Sequence, residues 1–148
     1  MASSASKIGV EAEPFIPYVQ ERDYSEKLKP VLEPYRKRMG FVPNALKLYM
    51  HRPEIAETLW QLNSKIMRDP SSTLDQFLKR RLAAVCCAIN GCAYCTSHCC
   101  SMLKKPRGTD AEGWGMSDVE VRALITGEAA PGNEFERACF DYVRAASS

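Results

Sequence analysis

The stretch Thr73-Leu74-Asp75-Gln76-Phe77-Leu78-Lys79-Arg80-Arg81-Leu82-Ala83-Ala84-Val85-Cys86-Cys87-Ala88-Ile89-Asn90-Gly91-Cys92-Ala93-Tyr94-Cys95 sets the architecture. Leu74, Leu78, Leu82, Val85 and Ile89 follow the 3.6-residue period of a helix with one apolar face. Thr73 and Gln76 have capping-box spacing, which predicts a helix running to about Asn90. A second face carries Ala83, Ala84, Cys87, Ala88 and Gly91, small residues that let another helix approach closely, with Arg80 at its upstream end. Asn90-Gly91 is a turn signal, and no breaker follows until Pro106, so Cys92 opens a new helix ending near Leu103. Two close helices with cysteines at their junction are the expected centre of the molecule.

Helical signals continue in both directions. Upstream, Ser25 to Met39 is helix-prone but punctuated by Pro30 and Pro34, so a turn followed by a short helix with Pro34 in an early position is expected, ended by Gly40. Asn44 can cap a short helix to about Met50. Pro53 suits the first turn of the next, in which Ile55, Leu59, Leu62 and Ile66 form one stripe expected to be buried. Downstream, Lys104 to Met116 reads as a loop. Ser117 with Glu120 starts a helix stopped by Gly127, and Asn133 with Glu136 starts a last one to about Ala146, with Cys139 in its core face. Strand signals are absent. The expectation is an all-α bundle of six to seven helices spanning 25–148, preceded by an extended, proline-bearing arm over 1–24.

At 148 residues the chain can bury an ordinary core without disulfides or metal. Apolar residues at 45% and charged residues at 26% make the composition globular, and a net charge of +2 excludes no partner by itself. Lys104, Lys105 and Arg107 form only a small basic cluster, without the broad basic face and interleaved aromatics of a nucleic-acid binder. The Ser/Ala-rich start has no signal-length apolar core, and no stretch nears the ~18 apolar residues of a membrane span. A cytoplasmic protein is expected, with neither nucleic-acid nor membrane partners.

Seven cysteines are present, and Cys86, Cys87, Cys92, Cys95, Cys99 and Cys100 crowd together, unlike the dispersed pairs of a secreted disulfide framework. Reduced thiols at a local site fit that pattern. Cys92-Ala93-Tyr94-Cys95 puts two sulfurs within bonding reach in a first helical turn, where the helix dipole favours a thiolate. The dipole alone favours Cys92 as the low-pKa thiol. Competing readings are small buried hydrophobes or a metal-binding module using Cys92, Cys95 and Cys99 with His98 adjacent and Cys86 or Cys87 available from the previous helix. A second Cys-x-x-Cys pair for a zinc knuckle is missing, and Thr96 stands where attached haem needs His. Neither metal nor cofactor is therefore assigned. Tyr94, inside the motif, is expected to line the site, whereas His51 reads as a cap or turn residue.

Gly40-Phe41-Val42-Pro43-Asn44, His51-Arg52-Pro53-Glu54, Asn90-Gly91-Cys92-Ala93-Tyr94-Cys95 and Gly115-Met116-Ser117-Asp118, in that order, resemble the carboxymuconolactone decarboxylase-like superfamily on its alkylhydroperoxidase AhpD-like side. The resemblance covers roughly Phe15 to the C-terminus. It implies an all-helical fold assembling into dimers, trimers or hexamers. It also implies an antioxidant peroxidase in which Cys95 attacks a hydroperoxide and Cys92 resolves the product, with a dithiol carrier as reductant. Two positions depart from it. Such peroxidases relay protons through a His four residues after the second cysteine and a Glu twelve before the first, where this chain has Cys99 and Arg80. Arginine keeps its proton at neutral pH, and a thiol accepts one only as thiolate. His98 stands one residue early, about 100° round the helix, and is the alternative relay. Arg80 could instead extend toward Cys92 and Cys95 as a fixed charge that preforms a thiolate. The expected function is thus reduction of a small hydroperoxide or disulfide, the alternatives being a redox-sensing or scaffold protein of the same fold, or a metal-binding module.

Overall fold

The computed structural model describes residues 15–104, 114–128 and 132–147. Among them are a 3-10 turn, Glu21–Asp23, and seven α-helices: α1 Lys29–Met39, α2 Asn44–Tyr49, α3 Pro53–Arg68, α4 Gln76–Ile89, α5 Ala93–Lys104, α6 Asp118–Thr126 and α7 Glu134–Ser147. The described residues contain no strand, so the chain is all-α. None of these helices is long and apolar enough to cross a membrane. Most of the expected arm and of the Lys104 to Met116 loop lies outside the described residues. Part of the arm meets the α2 region: Lys47 of α2 lies over the Tyr18 ring at 5.4 Å, His51 Nε2–H, just past α2, donates to the Pro17 carbonyl at 2.8 Å, and Tyr24 is buried.

Two cores form. Tyr24, Leu28, Leu32, Val42, Met50 and Ala56 close the layer of α1 to α3. Leu78, Ala84, Val85, Leu103, Val121, Leu124 and Phe140 close the bundle of α4 to α7, with Cys99, Cys100 and Cys139 packed against them. The helix pair α4 and α5 is the most extensively packed, because the small residues of α4 let α5 approach closely.

Local chemistry fixes the helix ends. Ser117 and Glu120 make the expected capping box at α6, and Asn133 caps α7 by accepting from the Glu136 N–H at 2.8 Å. At α4 the expected Thr73 cap is replaced by Asp75, whose carboxylate accepts from Leu78 N–H at 2.9 Å; a charged acceptor at a helix N-terminus outcompetes a hydroxyl. In α1 the proline of the first turn is Pro30, and the helix continues through Pro34. The expectation for α3 is also corrected. Ile55, Leu59, Leu62 and Ile66 are 38–55% exposed, because neither core extends over that face.

Gly91 makes the α4–α5 turn. Its φ of +66° is the left-handed conformation, with Gly91 N–H donating to Ala88 O and Cys92 N–H to Cys87 O, both at 3.1 Å. That is a Schellman closure, and it delivers Cys92 directly to the start of α5. A Cβ on Gly91 would meet nothing within 4 Å, so Gly91→Ala carries the backbone penalty without a clash. Urea unfolding should show a loss of about 1–2 kcal/mol, with Gly91→Asn losing less; equal stability of wild type and Gly91→Ala would contradict this account of the turn.

Candidate active site

Cys92 occupies the N-cap of α5: its carbonyl accepts from Thr96 N–H at 2.9 Å, and its sulfur accepts from Cys95 N–H at 3.4 Å. The sulfur thus does what a Ser or Asp oxygen does at other caps. Hydrogen bonds from the Cys95 thiol, then from the backbone of Cys95 and Tyr94, hold the Cys92 thiol below its ordinary range. Cys95 shows the complement. Giving its hydrogen to Cys92, together with burial, pushes it up to about 11. Within the pair the proton is therefore favoured on Cys95 and negative charge, when it forms, on Cys92.

Cys95 faces a cavity of about 470 Å³ between the two helical layers. Cys87, Cys99, Arg80 and His98 also line it, and Tyr35, Leu46, Tyr49, Leu59, Trp60 and Tyr94 supply apolar and aromatic wall. Trp60 is held edge-on to Tyr35 at 5.3 Å. The Tyr94 hydroxyl accepts from Ala45 N–H at 3.2 Å, tying the Cys-x-x-Cys turn to α2. A wider groove of about 750 Å³ between Thr58 and Pro70 contains no thiol.

The sequence candidates Arg80, Tyr94, Cys95, His98 and Cys99 all meet at this cavity, with Cys92 behind Cys95. Arg80 is buried at 8% exposure. Its charge acts on Cys99, offsetting part of the upward push that burial gives that thiol; the forces that lower Cys92 are hydrogen bonds. Cys87, which the sequence offered as a small-face residue and as an alternative metal ligand, lines the same cavity. It is hydrogen-bonded to Cys95 and to Cys99, and burial pushes it up to about 12. Its i, i+4 relation to Gly91 along the small face was the available signal. Cys86 points elsewhere, toward Asn90 and Ser147 at 3.5 and 3.4 Å. Among the described residues no group of three or more His, Cys, Asp or Glu is disposed to hold a metal ion, so the metal-module reading gains no support.

No family model matches the sequence. No curated protein matches it either. Among solved structures, a cysteine-to-alanine variant of the debrominase Bmp8 in complex with 2,3,4-tribromopyrrole is similar, with a TM-score of 0.69 and 23% identity over 90% of this chain. The present chain covers 66% of that one. The chain therefore shares the helical fold of that debrominase.

The charge on Cys92 gives a direct expectation. Because alkylation needs the thiolate and a lowered pKa keeps that form at lower pH, iodoacetamide should modify Cys92 first as pH rises, with Cys95 following only toward 11. Arg80→Met should leave the Cys92 profile in place. First modification at Cys95, or a Cys92 profile displaced upward by Arg80→Met, would contradict the assignment.

Proposed function

We propose that the chain is a thiol-dependent reductase of the AhpD-like type, passing two electrons from the Cys92–Cys95 dithiol to a small acceptor in the cavity. The carrying observation is that Cys95 opens on the cavity while its thiol is hydrogen-bonded to a sulfur that favours negative charge. Cys92 then takes the place of the missing Glu and His relay. It accepts the Cys95 proton as Cys95 attacks, and the resulting Cys95 thiolate is the nucleophile. With a hydroperoxide, the Cys95 sulfur takes the terminal oxygen as a sulfenic acid and the alcohol leaves with a proton. Cys92 attacks that sulfur, water departs and the disulfide closes. One hydroperoxide and two thiols give one alcohol, one water and one disulfide. A dithiol carrier restores the pair by attack on Cys92.

The aromatic wall of Tyr35, Tyr49, Trp60 and Tyr94, with the fold shared with a debrominase, supports a second reading in which the acceptor is a halogenated aromatic ring. The balance there is an aryl bromide and two thiols giving the arene, bromide, a proton and the disulfide. One experiment separates the two. With dithiothreitol as reductant, the protein is offered cumene hydroperoxide or a bromopyrrole, and peroxide loss or bromide release is followed. Turnover that falls to background in both Cys92→Ser and Cys95→Ser supports the reductase reading, and the productive acceptor chooses the substrate. Absence of turnover with either acceptor overturns it in favour of a redox-sensing or scaffold protein.

A further inference from the structure

The Cys92–Cys95 pair accounts for two of the four thiols that meet between α4 and α5. Cys87, in the last turn of α4, is hydrogen-bonded to Cys95 on one side and to Cys99 on the other. Cys95 and Cys99 are four residues apart and share one face of α5, so Cys87 sits opposite the gap between them. All three line the same cavity, and every one is a free thiol. Cys92, bonded to the Cys95 N–H, thus adjoins a group of three further thiols that line one cavity, Cys95, Cys87 and Cys99.

From this arrangement we infer that Cys87 and Cys99 form a second, inner redox couple that takes over the disulfide from Cys92 and Cys95 by thiol–disulfide exchange. The inference rests on the reductase reading for the source of the first disulfide. In the first step the Cys87 sulfur attacks the Cys95 sulfur. The Cys92–Cys95 bond breaks, its electron pair leaves on Cys92, and the Cys87 proton is released to be taken up by Cys92 or water. In the second step Cys99 attacks Cys87, the Cys87–Cys95 bond breaks, and Cys95 leaves with the electron pair and receives the proton lost by Cys99. The sum is one disulfide and two thiols exchanged for one disulfide and two thiols. No further oxidant or reductant is needed.

Charge sets the direction. A disulfide whose reduced form has a stabilised thiolate is the more oxidising one, and a thiol of lower pKa leaves faster. Hydrogen bonds lower the Cys92 thiol while burial raises Cys87 and Cys99, which favours oxidation of the inner pair by the outer disulfide. Arg80 eases the second step, because its positive charge offsets part of the burial cost of the Cys99 thiolate. The consequence is capacity: the reduced chain can turn over two acceptors, storing two disulfides, before it meets a reductant.

The test uses diamide, which oxidises thiols without requiring any substrate. The reduced full-length protein receives one equivalent, is quenched by alkylation at successive times, and its disulfides are mapped by peptide mass spectrometry. A Cys92–Cys95 disulfide that forms first and decays into Cys87–Cys99 supports the relay. In Cys99→Ser the decay should stop at a Cys87–Cys95 link. Both Cys87→Ser and Cys87→Ala should preserve the outer disulfide, and either one, if folded by circular dichroism, suffices. If Cys92–Cys95 forms in wild type and persists while Cys87 and Cys99 remain alkylatable, the relay is overturned and the reductase reading stands. If Cys92–Cys95 never forms, both are overturned.

Discussion

The backbone N–H of Cys95 points at the sulfur of Cys92 across 3.4 Å, and the chemistry of the site depends on that contact. It exists because Gly91 turns left-handed and closes α4 in a Schellman motif, which leaves Cys92 as the cap of α5 with no residue to spare. An ordinary cap oxygen at that position would satisfy the helix and do nothing more. A sulfur satisfies it and is held below its ordinary thiol range. That cap bond adds to the larger effect of the hydrogen bond from the Cys95 thiol, and together they lower Cys92 while Cys95, facing the cavity, is pushed up.

The two neighbouring arginines of α4 illustrate how one helix serves two cores. Arg81 is pinned at 2.9 Å to Glu136, both largely buried, and stacks on Phe77 and Phe140, so it ties α4 to α7. Arg80, about 100° away round the helix, lies in the cavity wall and biases Cys99. Cutting the Arg81 pair would leave a buried carboxylate and loosen the bundle. Removing Arg80 alters the electrostatics of Cys99. Stability and reactivity are thus assigned to different residues of one turn.

The sequence carried the helical layout well, because period, capping pairs and glycine stops are local signals. Ser117 with Glu120, Gly127 and the Asn90-Gly91 turn all stand where their chemistry puts them. Competition was less legible: Thr73 and Asp75 are both competent caps, and the structure uses the carboxylate, whose charge suits the helix N-terminus. Burial of the α3 stripe was misread for a different reason. Ile55, Leu59, Leu62 and Ile66 have the right period, but period says which residues share a face and cannot say whether another element lies over it. At the site, Cys92 and Cys95 were marked by spacing. Cys87 was not, since its partners Cys95 and Cys99 lie on another helix and only the close approach of α4 and α5 brings the sulfurs together. Arg80 was marked by position, while the thiol it acts on depended on the path of a long side chain.

The central claim is that the first two electrons leave from Cys92 and Cys95. It is tested most directly by exposing the reduced protein to a substoichiometric pulse of hydroperoxide, trapping within the mixing time, and mapping the product. The account predicts a loss of two hydrogens confined to the peptide containing Cys92 and Cys95, with a sulfenic adduct on Cys95 when Cys92 is replaced by serine. A first product that links Cys86, Cys100 or Cys139, or a sulfenic adduct on Cys99 with Cys95 unmodified, would contradict it.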